Sequence, residues 1–173
     1  MYMSKSFQRG VGLMEVLVAL LLLAIGVLGY VALQVRAVEA STEATQRSQA
    51  LFVLRGLAES IRANNAGRLS YQALVNAPQT SNSARACINT DSLCTANTLA
   101  QADVAQAQAN ANNFGMQLRM QVCPGVNNMA GEDRRMCLYA AWGATDISGN
   151  TNACMTAAGV YVVGSSCLMM ELY

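Results

Sequence analysis

Residues 9–36 carry the stretch that decides the fold, and they read RGVGLMEVLVALLLLAIGVLGYVALQVR. The 20 residues from 16 to 35 include no charged side chain and are rich in leucine, valine and alanine. As an α-helix they would extend roughly 30 Å, which is the thickness of the hydrocarbon core of a membrane. The alternative is a cleaved secretory signal, whose apolar region is usually only about 7–15 residues long. Because this run is longer and continues into helix-forming sequence, it predicts a transmembrane helix.

The composition of the whole chain limits what the protein can do. Its 173 residues give room for one ordinary domain plus an appendage. Charged residues make up 12% of the chain, against about 25% in an average soluble protein, which indicates a membrane or a partner. Histidine is absent, and with it the commonest general base and transition-metal ligand, so we predict no enzyme, no metal and no cofactor. The net charge of +1 gives no field that would gather phosphates, so nucleic acid is not expected as a partner.

Charges on the two sides of the apolar run predict its orientation. Lys5 and Arg9 precede the run, whereas Arg36 follows it and is soon offset by Glu39 and Glu43. Positive charge favours the cytoplasmic side, so we expect the N-terminus in the cytoplasm and the chain after residue 36 across the membrane. All six cysteines lie in that later part, and their even number suits disulfides in an oxidising compartment.

The helix is predicted to continue beyond the membrane. From residue 33 to residue 61, small and apolar residues recur at steps of three and four, and charged residues avoid that stripe. No proline interrupts residues 11–65, and residues 64–67 supply a C-terminal stop. A helix of about 55 residues would be about 82 Å long. We divide it into a transmembrane and assembly helix, residues 11–35, and an amphipathic spine, residues 36–66.

Residues 67–173 are predicted to form an α+β head in the periplasm. Two short helices are expected, one capped by Ser70 and the other by Thr98. Apolar and polar residues alternate from 114 to 122, which is typical of a half-buried strand, and three further apolar runs lie at 136–142, 159–163 and 167–173. An antiparallel sheet of about four strands follows. Its apolar face is expected to pack on the helix. The helix positions expected there are Leu51, Leu54, Ala58 and Ile61.

Glu15 is the anomaly in the apolar helix. An ionisable group near the centre of a membrane span costs on the order of 3 kcal/mol, and by default such a group marks function. If the chain were cut after Gly10, the new amine of Val11 would lie one helical turn from Glu15. The two opposite charges could then neutralise each other, within one chain or between neighbours. The alternative is that Glu15 lies at the membrane interface, in water.

A basic leader that ends in glycine, followed by an apolar helix with a glutamate at its fifth position, resembles the type IV pilin and pseudopilin family. The resemblance implies that prepilin peptidase removes the leader, residues 1–10, after Gly10. It implies N-methylation of the new terminus, Val11, and makes Glu15 the assembly carboxylate that pairs with the N-terminus of a neighbour. The family usually has phenylalanine where this chain has Val11, although other apolar residues are tolerated there. The family's precursors are single-pass proteins of the inner membrane that later enter an extracellular fibre.

Two further elements narrow the resemblance. Residues 15–29 look like the minor pilin and minor pseudopilin branch, and residues 48–67, with SIRANNAG at 60–67, are similar to PilV-type minor pilins. The resemblance implies a minor pilin that primes pilus assembly with other minor pilins. It would contact them and the major pilin through the N-terminal helix, stay at the fibre tip, and serve twitching motility or cell adhesion. The alternatives are a minor pseudopilin of a type II secretion system and a membrane-anchored periplasmic enzyme that uses Asp91, Asp103 or Asp146.

The six cysteines allow 15 disulfide connectivities. No Cys-x-x-Cys pair is present, which disfavours a four-cysteine zinc site. We favour sequential pairing, because each pair would then close a local loop worth roughly 2–3 kcal/mol of stability. The favoured pairs are Cys87–Cys94, Cys123–Cys137 and Cys154–Cys167.

Overall fold

The computed structural model describes residues 12–79, 87, 93–125 and 135–172. The chain forms two compact units, residues 1–43 and residues 44–173. The long helix α1 is followed by helices and then by strands, so the expected α+β class is confirmed. In chain order the elements are α1 (Leu13–Ala63), the 3-10 helix η1 (Asn65–Ser70), α2 (Tyr71–Val75), α3 (Ala96–Asn113), β1 (Met116–Val122), β2 (Met136–Trp142) and β3 (Cys167–Glu171).

The described part of the first unit is the N-terminal portion of α1. The helix begins directly after Gly12, whose carbonyl accepts hydrogen bonds from the N–H groups of Glu15 at 2.9 Å and Val16 at 3.3 Å. Leucine and alanine, which are strong helix formers, fill much of this segment. Every residue from 12 to 42 is exposed. The uncharged run is therefore helical, as predicted, and its apolar side chains lack cover within this unit.

In the second unit, the remainder of α1 lines the core. Leu54, Ala58 and Ile61 are buried as predicted, whereas Leu51 is only partly buried. The buried face is wider than the predicted stripe, because Val53 and Leu57 also contribute to it. These helix residues share one buried cluster with side chains of the sheet. The sheet residues of that cluster are Met116, Met120, Met136, Leu138, Ala140 and Trp142.

The short helices begin in places that differ from the prediction. Ser70 precedes α2, but its side chain makes no capping hydrogen bond, because its backbone is already helical and continues the turn of η1. Thr98 is not the cap of α3. Thr95, whose backbone is extended, takes that role and accepts a hydrogen bond from the N–H of Thr98 at 3.3 Å. Both threonines satisfy the residue preference for a cap, and the backbone conformation decides between them.

The described sheet is antiparallel, with the strand order β1-β2-β3. Leu138 of the central strand β2 pairs with Met120 of β1 and with Met170 of β3. Every residue of β2 is buried, since alternate side chains enter two different apolar clusters on its two faces. This double burial explains why residues 136–142 read as a continuous apolar run rather than as an alternation.

The predicted strand at residues 159–163 is wrong. Among the described residues the sheet has three strands, and this segment contributes only an isolated bridge between Met155 and Tyr161. Gly159 and Gly164 have φ angles of 79°, a conformation that favours glycine and turns the chain on both sides of the run. Val163 is fully exposed, so its apolar side chain does not contribute to the core.

Three disulfides brace the second unit. They join Cys87 to Cys94, Cys123 to Cys137, and Cys154 to Cys167, which are the sequential pairs. The last four of these cysteines are buried in the apolar cluster on the face of β2 that points away from α1. This cluster has few large side chains, so cross-links supplement its packing. Tyr139 and Ile147 are its largest fully buried side chains.

Candidate assembly site

The exposed apolar surface of α1 is the first part of the candidate site. Within the part of the chain that the structure describes, α1 is the helix long and apolar enough to cross a membrane. Large apolar side chains cover the helix all round over residues 13–38, and each is at least 47% exposed. A surface of this size is not stable in water, so it requires lipid or other helices around it. Its members are Leu13, Met14, Val16, Leu17, Val18, Leu20, Leu21, Leu22, Leu23, Ile25, Val27, Leu28, Tyr30, Val31, Leu33, Val35 and Val38.

Glu15 is the second part of the candidate assembly site. It lies in the first turn of α1, where its backbone N–H donates to the carbonyl of Gly12, and it is exposed. A carboxylate in the first turn of a helix is favoured by the unpaired N–H groups and the positive end of the helix dipole. That interaction stabilises the charge only in part. In lipid or in a dry helical bundle, the carboxylate still needs a cation.

The predicted cleavage residues Gly10 and Val11 lie outside the described residues. The sequence alone relates them to Glu15, since Val11 lies four positions before that carboxylate. The roles predicted for all three residues stay predictions.

A buried polar junction at the end of α1 is the feature that sequence reasoning missed. The side chain of Asn64 accepts from the N–H of Gly67 at 3.2 Å and donates to the carbonyl of Ala96 at 2.7 Å and to the hydroxyl of Tyr71 at 3.2 Å. The Tyr71 hydroxyl in turn donates to Asp103 at 2.5 Å. Burial, reinforced by the bond to Asp103, raises the pKa of Tyr71. The junction thus ties η1, α2 and α3 to the end of the long helix.

Gly67 is required at this junction by a close approach. A Cβ atom placed there would lie 2.6 Å from Nδ2 of Asn64 and 2.7 Å from the carbonyl oxygen of Ala96. The predicted helix stop at residues 64–67 is confirmed, since α1 ends at Ala63. Its asparagine and glycine act through long-range contacts as well as through local backbone preference. Seven and 32 positions separate Asn64 from Tyr71 and Ala96, so no local pattern reveals these partners.

The carboxylates considered for an enzyme have structural partners. Asp103 accepts the hydrogen bond of Tyr71. Asp146 accepts from the backbone N–H of Ser148 at 2.9 Å and from its hydroxyl at 3.2 Å, and these bonds lower the pKa of Asp146. Asp91 lies outside the described residues. The two described carboxylates therefore hold a helix junction and a turn.

An exposed apolar helix with a carboxylate in its first turn, whose later part packs in a disulfide-braced α+β unit, is typical of pilin-like proteins. Comparison with known families agrees. Residues 32–105 match the family model described as type IV pilin Tt1218, and residues 5–31 match the prokaryotic N-terminal methylation motif. No curated protein and no solved structure gave a significant match.

Together the two matches support assignment of the chain to the type IV pilin superfamily, a superfamily of structural proteins. The methylation motif and the apolar helix fit anchoring in the inner membrane. They also imply processing by prepilin peptidase and assembly with other pilins.

Proposed function

We propose that this protein is a minor pilin of the PilV type, which primes type IV pilus assembly with other minor pilins and enters the fibre at its tip. The observation that carries the proposal is Glu15, an exposed carboxylate in the first turn of a helix whose apolar surface is exposed throughout residues 13–38. In this proposal residues 1–10 are a leader, 11–35 the transmembrane and assembly helix, 36–66 the spine, and 67–173 the periplasmic head.

The charge of Glu15 needs a partner in an apolar environment. Cleavage after Gly10 creates an amine at Val11, which is then methylated and keeps its positive charge. When the helix leaves the membrane for a bundle of other pilin helices, apolar packing supplies attraction but little choice of axial position. A carboxylate that must meet the terminal amine of a neighbour removes that freedom, since any shift leaves a charge unpaired in an apolar environment. Glu15 thereby sets the register of the subunit.

The head supplies the part of the surface that distinguishes this subunit from others. Removal of the leader takes away Lys5 and Arg9 and leaves nine basic against ten acidic side chains, with no lysine. A mature chain this close to neutral favours protein partners over polyanions. The three disulfides brace the head outside the cell.

The leader is tested by determining the N-terminal residue of the mature protein, which is expected to be Val11. Replacing Gly10 by leucine is expected to leave a precursor longer by the ten leader residues. The matched control is Gly12→Ala, because a Cβ atom at Gly12 meets nothing within 4 Å. A mature protein that begins elsewhere, or normal processing of the Gly10 variant, contradicts the proposal.

The register role is tested by Glu15→Gln, which keeps the shape of the side chain and removes its charge. Processing is expected to continue, while the amount of subunit in fibres sheared from the cells falls at least tenfold. The matched control is Glu39→Gln on the same helix, since Glu39 forms an exposed ion pair with Arg36 and such pairs contribute little. Equal incorporation of the Glu15 variant and the control would show that Glu15 is merely interfacial.

The pilus and secretion alternatives are separated by deleting the gene. Loss of surface fibres or twitching with intact exoprotein secretion is the result expected for a minor pilin. The opposite result identifies a minor pseudopilin of a type II secretion system.

A further inference from the structure

Strand β1 forms one edge of the described sheet. The N–H of Cys123 donates to the carbonyl of Arg135 at 3.0 Å, so in this antiparallel register the peptide groups of residues 117, 119 and 121 face β2. The N–H and C=O groups of Met116, Leu118 and Met120 then point away from the sheet. Met116 and Met120 are buried, so Leu118 is the position of this outward row that another extended chain could reach.

Asn76 occupies this row at one position. Its Oδ1 accepts from the N–H of Met120 at 3.0 Å, and its Nδ2 donates to the carbonyl of the same residue at 2.9 Å. The carboxamide thus imitates one peptide group of an added strand. Leu118, two residues earlier, presents the same pair of groups without a hydrogen-bond partner among the described residues.

A cavity of about 320 Å³ lies beside this open position. Its opposite wall does not pair with Leu118: Pro78 has no N–H, and the carbonyls of Val75 and Ala77 accept hydrogen bonds from Nε2 of Gln108 at 3.1 and 2.9 Å. The space between the wall and the strand is therefore lined on one side by unused main-chain donors and acceptors.

Arg119 is the one formally charged residue among those that line the cavity. Its Nη1 donates to the carbonyl of Ser148, and it forms no ion pair within the described part of the chain. Its Nε is the one buried side-chain nitrogen or oxygen without a partner among the described residues. A buried donor left unpaired is costly. Because Nε itself is buried, the carboxylate of a partner would pair with the exposed end of this guanidinium, in a charge-assisted hydrogen bond.

We propose that the edge of β1 at Leu118 binds an extended segment of a partner protein by strand addition, with an acidic side chain of that segment paired to Arg119. The main chain supplies affinity, and the guanidinium selects the acidic segment. Asn76 ends the added strand at Met120. This site lies on the second unit and does not depend on the role proposed for Glu15.

The test uses the full chain in detergent micelles and two fluorescein-labelled, end-capped pentapeptides. One has the sequence Thr-Val-Asp-Val-Thr, and the other has lysine in place of aspartate. Fluorescence anisotropy is expected to show at least tenfold tighter binding of the acidic peptide, as for a charge-assisted hydrogen bond. Arg119→Gln is expected to abolish that preference. Arg55→Gln, at an exposed arginine on α1, is the control and is expected to preserve it.

Binding through the main chain of β1 is tested by two separate measurements. Leu118→Pro removes an outward N–H at a position where edge strands tolerate proline, together with a side chain that packs against the core, and is expected to abolish binding of both peptides. In the unsubstituted protein, the acidic peptide is expected to slow hydrogen exchange at the Leu118 amide. This second measurement decides the matter even if the proline variant fails to fold. Failure of the acidic peptide to bind, equal affinity for both peptides, or an unprotected Leu118 amide in the complex would each overturn the proposal.

Discussion

Replacing Asn64 by alanine tests the view that a buried polar junction holds the head to the end of α1. Asn64 is 7% exposed, and its side chain makes three hydrogen bonds, to Gly67, Ala96 and Tyr71. A typical intramolecular hydrogen bond contributes about 0.5–1.5 kcal/mol. Two of the partners keep another bond, since the N–H of Gly67 also donates to the backbone carbonyl of residue 64 and Tyr71 still donates to Asp103. We therefore expect a loss of roughly 2–3 kcal/mol, near the middle of the range for three bonds.

The assay is urea unfolding of the full chain in detergent micelles, followed by the fluorescence of Trp142. This is the one tryptophan of the chain, and it is buried in β2, so its signal reports the sheet rather than the membrane helix. The matched control is Asn65→Ala, because Asn65 is chemically identical, adjacent and exposed. Its effect is expected within about 0.5 kcal/mol. An Asn64 variant no less stable than the Asn65 control would refute the reasoning.

Three further predictions use the same unfolding assay. Replacing Cys154 and Cys167 together by alanine is expected to cost roughly 3 kcal/mol, from the entropy of a loop of this length; an unchanged midpoint would contradict it. Asn76→Ala is expected to cost about 2–3 kcal/mol, because it leaves the Met120 peptide groups of the sheet edge unpaired; a loss below 0.5 kcal/mol, on the order of a surface change, would contradict it. Stability is expected to be constant from pH 8 to about pH 10, the unfolded pKa of tyrosine, and then to fall, because burial raises the pKa of Tyr71 and Tyr139 and the unfolded chain loses its protons first. Tyr71→Phe is expected to make that fall shallower, and an equal slope would contradict the assignment.

The long helix was predictable because its signals are local and repeated. Twenty uncharged residues, a stripe at steps of three and four, and a stop at residues 64–67 all lie along one continuous segment. The sheet was less predictable, since residues 136–142 and 159–163 are both short apolar runs. The first becomes a central strand, because two clusters cover its faces. The second becomes a turn-bounded loop, because Gly159 and Gly164 reverse the chain at both ends. Composition alone does not separate these outcomes.

The candidate sites differ in the same way. Glu15 stands out from the sequence, because a charge in an apolar helix is anomalous wherever the rest of the protein lies. Asn64 does not, since its importance comes from Tyr71 and Ala96, which only the tertiary structure brings to it.

The structure also gives a physical reason for SIRANNAG, the element at residues 60–67 that resembles PilV-type minor pilins. Its asparagine and glycine form the junction, and its Arg62 donates to the carbonyl of Leu172 at 3.1 Å. The element therefore specifies how a head is attached to its helix. The proposed role in assembly depends separately on Glu15 and on the amine that cleavage after Gly10 would create, a pair of features that pilins and pseudopilins share.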